Sequence, residues 1–118
     1  MTQKNTIDPA GWGDFLEDFS KRNRGRRARF DIFEQSGRTA EEQQEGVFES
    51  ASLSDRHVTV ERSYEERGEA KTMSDAIKDV HGIAVQLDTD GSESAIEFLN
   101  HNGDMTQLHF ESRVDGDS

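Results

Sequence analysis

The segment from Ser94 to Glu111 has the residue pattern of a β-hairpin, and this pattern constrains the fold more than any other part of the chain. Apolar and polar residues alternate on both sides of the dipeptide Asn102-Gly103, with the period of two expected when one face of a strand is buried. The apolar positions are Ile96, Phe98, Leu108 and Phe110. The Asn-Gly dipeptide marks the turn between the two strands.

The register of this hairpin follows from which side chains must face the core. A two-residue loop, which Asn-Gly usually indicates, would pair Phe98 with Gln107 and place an apolar side chain opposite a polar one. A three-residue loop from His101 to Gly103, with Gly103 left-handed, instead pairs Phe98 with Thr106 and brings the apolar side chains to one face. We therefore predict the three-residue loop. The exposed face would then carry Glu97, Leu99, Met105, Gln107, His109 and Glu111.

A helix is predicted to open at Ile7-Asp8-Pro9. Asp8 can cap it, Pro9 suits the first helical position, and Ile7 can pack on Trp12 four positions into the helix. The apolar stripe of this helix consists of Trp12, Phe15, Leu16 and Phe19, at helical spacing. Such a stripe can dock on a sheet, and Gly25 is predicted to end the helix.

Alternating segments elsewhere predict four further strands: Arg27 to Glu34, Val47 to Leu53, His57 to Tyr64 and Ile83 to Leu87. The polar segment from Gln35 to Gly46 is predicted to be an exposed extended excursion, and Glu65 to Ala70 a charged loop. The segment from Ser74 to Gly82 starts with Ser and ends with Gly, which predicts a helix of about two turns. A bent strand fits that segment nearly as well.

These elements predict an α+β domain, with an N-terminal amphipathic helix packed on an antiparallel sheet of five or six strands. The sheet can be a curved open sheet or a small barrel. A chain of 118 residues with 31% hydrophobic residues is expected to form one domain, residues 1–118, with a small core. The termini, Met1 to Asn5 and Asp115 to Ser118, are predicted to fray.

Charge and cysteine content exclude several classes of function. The chain has 25 acidic and 14 basic residues, and its formal charge of -11 opposes binding of a polyanion. The absence of cysteine excludes disulfides, thiolate nucleophiles and Cys-ligated metals. No run approaches the roughly 20 apolar residues that span a bilayer, and the first residues lack the apolar segment of a signal peptide. We therefore expect a cytoplasmic protein without a membrane partner.

Three segments carry a resemblance to a known family: NTIDPAGWGDFLEDFSKRN near the start, FESASL followed by VTV, and DTDGSESAIEFLNHNGDMTQLHF near the end. On these segments the chain resembles an uncharacterised bacterial family, number 5335 among the domains of unknown function. The resemblance spans most of the chain with loose motifs, and family members more often carry acidic residues where Gly11 and Gly13 stand. It implies no activity, cofactor or catalytic residue.

Six of the nine residues from Lys21 to Arg29 are basic. One interpretation is an anion contact, in which Arg24, Arg26 and Arg27 bind phosphate or nucleic acid, because guanidinium groups match phosphate oxygens. The other is that these cations complete a helix C-terminus and pair with nearby acids. We favour the second, because the chain is acidic as a whole and no aromatic residue is interleaved for base stacking.

Metal and catalytic patterns are weak. Asp88, Asp90 and Glu93 match only a fragment of a calcium loop, so the segment is interpreted as a turn. The histidines are His57, His81, His101 and His109, and none has the spacing of a known metal motif. His109 near Glu97 is the closest approach to an acid–base pair, and a solvated cross-strand contact explains it better. We predict no catalytic residue, no metal and no cofactor.

Three apolar residues fall on strand faces opposite the inferred core: Phe33, Leu99 and Met105. If they cluster, they form an exposed apolar patch of the kind that marks an interface. The leading hypothesis is therefore a non-catalytic binding or interaction module, with a homodimer through a sheet face or edge as one form. The alternative is a small phosphate or nucleic-acid binder that uses Lys21 to Arg29, and an enzyme ranks third.

Overall fold

The computed structural model describes residues 3–37, 39–41 and 46–111. Its one α-helix, α1 (Trp12–Asn23), follows a short 3-10 turn at Pro9–Gly11. The strands are β1 (Gln3–Thr6), β2 (Arg27–Phe33), β3 (Thr39–Glu41), β4 (Gly46–Ser54), β5 (His57–Glu66), β6 (Glu69–Ile77), β7 (Val80–Leu87), β8 (Glu93–Asn100) and β9 (Met105–Phe110).

All strand pairs among the described residues are antiparallel and belong to one sheet. Eight strands follow the order β1-β7-β8-β9-β2-β4-β5-β6, and β3 pairs with β2 outside that order. The predicted class, one helix packed on an antiparallel sheet, is confirmed. The predicted count of five or six strands is wrong: β1, β3 and β6 are additional strands, and β6 covers parts of two segments that the sequence assigns to other structure.

The first of these segments is Glu65 to Ala70, which the sequence predicts to be a charged loop. Instead β5 continues to Glu66 and β6 begins at Glu69. Only Arg67 and Gly68 turn the chain, with φ of 54° and 81°. Two successive positive φ values are typical of a tight two-residue hairpin turn, which leaves the charged residues on paired strands.

The second segment is Ser74 to Gly82, where the predicted helix is wrong; the segment is extended, as in the bent-strand alternative, but it is divided between the end of β6 and the start of β7 by a turn at Lys78 and Asp79. β6 pairs with β5 along its whole length, from Glu69 opposite Glu66 to Ile77 opposite Val58. This backbone pairing with β5, a long-range interaction, outweighs the local helical start and stop signals. Asp79, with φ of 53°, lies in the turn before β7.

At the N-terminus, Gln3–Thr6 forms β1 and pairs with β7, although the sequence predicts a frayed end as far as Asn5. The predicted fraying at Asp115 to Ser118 lies outside the described residues. In the predicted excursion from Gln35 to Gly46, Thr39–Glu41 pairs with β2, while residues 38 and 42–45 also lie outside the described part.

The register predicted for the β8–β9 hairpin is confirmed. Phe98 lies opposite Thr106, and Ile96 lies opposite Leu108. Gly103 has φ of 93°, the left-handed conformation that the three-residue loop requires. The hairpin pattern therefore determined which side chains face the core.

The predicted start of the helix is also close to what is observed. Asp8 accepts a hydrogen bond from the backbone N of Ala10 at 3.0 Å and so caps the 3-10 turn that leads into α1. The indole Nε1 of Trp12 donates to the carbonyl oxygen of Ile7 at 3.0 Å. Trp12, Leu16 and Phe19 are buried against the sheet. Within the described residues, no helix has both the length and the apolar character to span a membrane.

Candidate functional site

The face of the sheet that carries the core, here called the inner face, is covered unequally. At one end, Phe19 of α1 packs on Phe48 and Phe110, with ring centroids 5.7 Å apart in both pairs. We call this the closed end; it includes the start of β8 and the end of β9. At the other end of β8 and β9, which we call the open end, a cleft is lined by β2, by the end of β6 and by the β8–β9 hairpin.

The open-end cleft has a volume of about 500 Å³. Its apolar lining comes from Phe30 and Ile32 of β2 and from Ile77 at the end of β6. Its polar lining includes Asp75, Lys78, Asp79, Asn100, His101 and Thr106. An apolar base with a few polar groups around it is the usual composition of a small-molecule site.

Inner-face positions of β6 and β9 become polar where these strands line the cleft. Asp75 lies two residues before the buried Ile77, and Thr106 lies two residues before the buried Leu108. Side chains two residues apart on a strand share a face, so these polar groups face the same way as the core. Ile32, which the sequence places with the core residues of β2, is only half-buried because it lines the cleft.

A buried arginine supports one side of the cleft. Arg62 of β5 is fully buried, and its guanidinium lies 4.6 Å from the ring centroid of Phe30. Its Nη2 is 3.3 Å from Oδ2 of Asp75, and its Nη1 donates to the carbonyl oxygen of Ala28 at 3.2 Å. A buried charge requires such partners, so this pair fixes the Asp75 carboxylate at the edge of the cleft.

Sequence reasoning missed Arg62 and Asp75, although a signal was present. Arg62 continues the inward series Val58, Val60 on β5, and Asp75 precedes the inward Ile77 on β6. An arginine and an aspartate at inward positions of two neighbouring strands indicate a buried pair. The signal was hidden because β6 was not recognised as one continuous strand.

Two histidines meet beside the cleft. Nδ1 of His101 is 3.0 Å from Nε2 of His81, and the ring centroids are 4.7 Å apart. The contact joins the β8–β9 loop to a register shift between Val80 and Gly82 on β7, so no sequence spacing reveals it. In the described part of the chain, no three His, Cys, Asp or Glu side chains are grouped so that they could hold a metal ion.

The three arginines predicted as an anion contact lie at the closed end, and each contacts other parts of the chain. Arg24 Nε donates to the carbonyl oxygen of Glu49 at 3.0 Å. Arg26 Nη1 donates to Asn23 Oδ1 at 2.9 Å, and its guanidinium lies 4.5 Å from the Phe110 ring centroid. Arg27 forms an ion pair with Glu111 at 3.3 Å. These contacts tie the end of α1 and the start of β2 to the sheet.

Glu93 is the centre of this closed-end network. Its carboxylate accepts two hydrogen bonds from Arg22, at 3.0 and 2.8 Å, and one from Asn23 at 2.8 Å. Burial alone would raise the pKa of Glu93, but the hydrogen bonds from Arg22 and Asn23 and the charges of Arg22 and Arg26 outweigh it and hold the pKa below its ordinary value. The hydrogen bond to Glu93 in turn raises the pKa of Arg22.

In the fragment that resembled part of a calcium loop, the carboxylates of Asp90 and Glu93 accept hydrogen bonds from other groups of the chain. Asp90 Oδ1 accepts hydrogen bonds from the backbone N and the hydroxyl of Ser92, at 2.9 and 2.6 Å, which shapes the β7–β8 turn. Glu93 is bound by Arg22 and Asn23. These contacts agree with the interpretation of this segment as a turn.

The outer face of the sheet brings the three predicted interface residues together. Phe33 lies opposite Met105, and Met105 lies opposite Leu99, so the three form one row across β2, β9 and β8. Leu99 is 46% exposed, while Phe33 and Met105 are half-buried. We call these three residues the outer row.

Glu97 was predicted to be exposed on this outer face, and that prediction is wrong. It is only 5% exposed, because Lys4 of β1 forms an ion pair with it at 2.9 Å and the amides of Gln86 and Gln107 donate to its carboxylate. His109 lies opposite Ala95 and Arg29. The partners of the Glu97 carboxylate are therefore Lys4, Gln86 and Gln107 rather than His109. Lys4 belongs to β1, a strand that the sequence did not predict.

Comparison of the chain with protein-family models, with curated proteins and with solved structures gives no match. The resemblance to the uncharacterised bacterial family stays a prediction from the sequence.

Proposed function

We propose that the chain is a binding module without catalysis, and that its principal site is the open-end cleft. The observation that carries this proposal is the cleft itself, with about 500 Å³ of space above Phe30, Ile32 and Ile77. Apolar side chains that form the base of a cleft favour a small molecule with an apolar part, because its burial removes apolar surface from water.

The polar groups of the cleft are held by their neighbours, which supports a site prepared for binding. Arg62 holds Asp75 at 3.3 Å, and His81 holds His101 at 3.0 Å. Side chains fixed before a ligand arrives lose less conformational freedom on binding, so the free energy of binding is more favourable.

Homodimerisation through the outer row is a second form of the proposed interaction function. The specific observation that favours it is the alignment of Phe33, Met105 and Leu99 on adjacent strands, with Leu99 exposed. The outer row is on the face opposite the cleft, so a dimer formed through it leaves the cleft accessible.

The alternative function, a phosphate or nucleic-acid binder that uses Lys21 to Arg29, receives less support. Arg24, Arg26 and Arg27 each make contacts within the chain, and releasing them to phosphate would break those contacts. The formal charge of -11 also opposes the approach of a polyanion. We therefore propose that the arginines stabilise the closed end.

The cleft proposal is tested with the neutral dye N-phenyl-1-naphthylamine, whose fluorescence rises in an apolar site. We expect saturable binding by the unaltered chain and its loss in Thr106→Phe, which adds a ring from β9 into the cleft. The matched control is His109→Phe, on the outer face of the same strand. Equal binding by both variants would show that the dye binds elsewhere.

The nucleic-acid alternative is tested by titrating the chain with single-stranded polyuridylate at low salt. We expect no detectable binding, with or without Gln at positions 24, 26 and 27. Micromolar binding that weakens steeply with salt and is lost in the triple variant would favour the alternative.

A further inference from the structure

We propose that His81 and His101 together bind a divalent transition-metal ion, with Ni²⁺ and Cu²⁺ as the favoured ions. This site goes beyond the proposed function, because it uses a side-chain pair beside the open-end cleft and requires no ligand in the cleft. Three observations support it: the relative position of the two imidazole rings, the backbone that holds them, and their exposure.

The two imidazole rings are not placed as in a straight hydrogen bond. Nδ1 of His101 and Nε2 of His81 are 3.0 Å apart, and the ring centroids are 4.7 Å apart. A straight N–H···N hydrogen bond would separate the centroids by about 5.3 Å, because each nitrogen lies about 1.15 Å from the centroid of its ring. The shorter distance means that the contact is bent, which weakens it as a hydrogen bond.

A bound metal ion fits both distances. An ion about 2.0 Å beyond each nitrogen, on the axis of its ring, reproduces both separations when the N–metal–N angle is about 95°. That length is normal for imidazole on a transition metal, and the angle is close to the right angle of tetragonal complexes. Cu²⁺ and Ni²⁺ favour such complexes, whereas Zn²⁺ in protein sites is usually tetrahedral.

The backbone places the two rings side by side before an ion arrives. The register shift of β7 falls at His81, and a bulge of this kind redirects a side chain. His101 begins the β8–β9 loop, in which the backbone N of Asp104 donates to the side-chain oxygens of Asn100 and Asn102 at 2.9 and 3.1 Å. Ligands held in this way lose less conformational freedom when they bind an ion.

Both histidines are exposed, so an ion can reach the pair and keep water on its remaining positions. Within the part of the chain that the structure describes, no third His, Cys, Asp or Glu side chain joins them. The site therefore has two protein ligands. The formal charge of -11 raises the concentration of cations near the surface, and His101 also lines the cleft, so the ion lies at the cleft rim.

Binding requires a free lone pair on both nitrogens of the contact. In the metal-free pair, with both rings neutral, one of these nitrogens carries the proton and the other accepts it. When the ion binds, that proton moves through water to the other nitrogen of the same ring, so neutral rings bind without a net change in protons. A protonated imidazole offers no lone pair, so binding is measured at pH 7.5.

The test is calorimetric titration of the full chain with Ni²⁺ in a buffer that does not bind metal. His81→Gln and His101→Gln each remove one ligand, and the matched control is His109→Gln, on the outer face of β9. We expect each ligand variant to lose at least about tenfold in affinity and the control to be unchanged. Zn²⁺ should bind the unaltered chain more weakly than Ni²⁺, because its preferred angle is larger.

NMR of the ¹⁵N-labelled chain locates the ion independently of the variants. Paramagnetic Ni²⁺ should broaden the amide signals of residues 80–82 and 100–103 before those of other residues. Equal affinity in all variants, first broadening elsewhere, or no binding by the unaltered chain would overturn the proposal. Loss in only one ligand variant would contradict a shared ion, and tighter binding of Zn²⁺ would contradict the assigned ions. Dye binding in the cleft without Ni²⁺ binding would overturn the metal site and leave the proposed function standing.

Discussion

The closed and open ends of the same sheet use polar residues in opposite ways. At the closed end, Arg22, Asn23 and Glu93 border a depression of about 270 Å³, and their polar groups bond to one another. At the open end, the cleft is about 500 Å³ and is bordered by the exposed Asp79.

The segment with the densest charge does not line the open-end cleft. The basic run from Lys21 to Arg29 is the most conspicuous charged segment, yet its described arginine contacts stabilise the junction of α1 with the sheet. The residues around the cleft are spread between Phe30 and Thr106, and only the sheet brings them together.

The largest effect is expected in the core of the closed end. Phe19 is fully buried between Phe48 and Phe110, so Phe19→Ala should lower the free energy of unfolding by about 3–5 kcal/mol. Ile32→Ala at the half-buried edge of the cleft should cost about 1–2 kcal/mol, because less apolar surface is lost. Urea denaturation measures both. Equal losses would contradict the difference in packing between the ends.

The next effect concerns the Arg62–Asp75 pair. Asp75→Ala removes a partner of a fully buried guanidinium and should cost about 2 kcal/mol, since Asp75 itself is partly exposed. Asp88→Ala, at an exposed turn, should cost less than about 0.5 kcal/mol in the same urea experiment. If the two variants are equally stable, Arg62 does not depend on Asp75.

Replacement of Glu93 tests the closed-end network through pH. The folded-state pKa of Glu93 lies below its ordinary value of 4.5, so its contribution is present above that value and is lost as pH falls through the folded-state pKa. Glu93→Gln should therefore lower stability by about 1–2 kcal/mol at pH 7. The difference should shrink below pH 4.5 when thermal unfolding is followed across pH. A constant difference would show that ionisation of Glu93 is not involved.

Leu99→Lys in the outer row should have the smallest effect on folding, less than about 0.5 kcal/mol, because Leu99 is exposed.

If the outer row forms a dimer, sedimentation should show association that strengthens with salt, as screening reduces repulsion between chains of charge -11. The Lys variant should abolish that association. A monomer at every salt and protein concentration would contradict the dimer proposal.

Particular residues show how much of this could be predicted from the sequence. The inward alternation around Phe98 and Leu108 predicted the hairpin register, and the spacing of Trp12, Leu16 and Phe19 predicted the buried side of α1. Both patterns are local, because each arises when one face of a strand or helix is buried and the other is not. The helix predicted at Ser74 to Gly82 was wrong because strand pairing, a long-range interaction, overrode local capping signals.

The cleft could be predicted only in part. Asp75, Asn100 and Thr106 stand at inner-face positions, which is visible once the strands are assigned. These residues come together only in the folded sheet, because β6 and β9 are not neighbours in the strand order. The His81–His101 contact depends in addition on a register shift in β7. No local pattern encodes these features.

The most direct test of the central claim, that ligands bind at the open end, is to measure nuclear Overhauser effects between the indole protons of bound tryptophol and the methyl groups of the chain. Tryptophol is neutral, so its binding does not depend on the charge of the chain. We predict contacts with the methyl groups of Ile32 and Ile77. Contacts with Leu87, which lines the closed-end depression, or with Leu99 of the outer row would contradict the account.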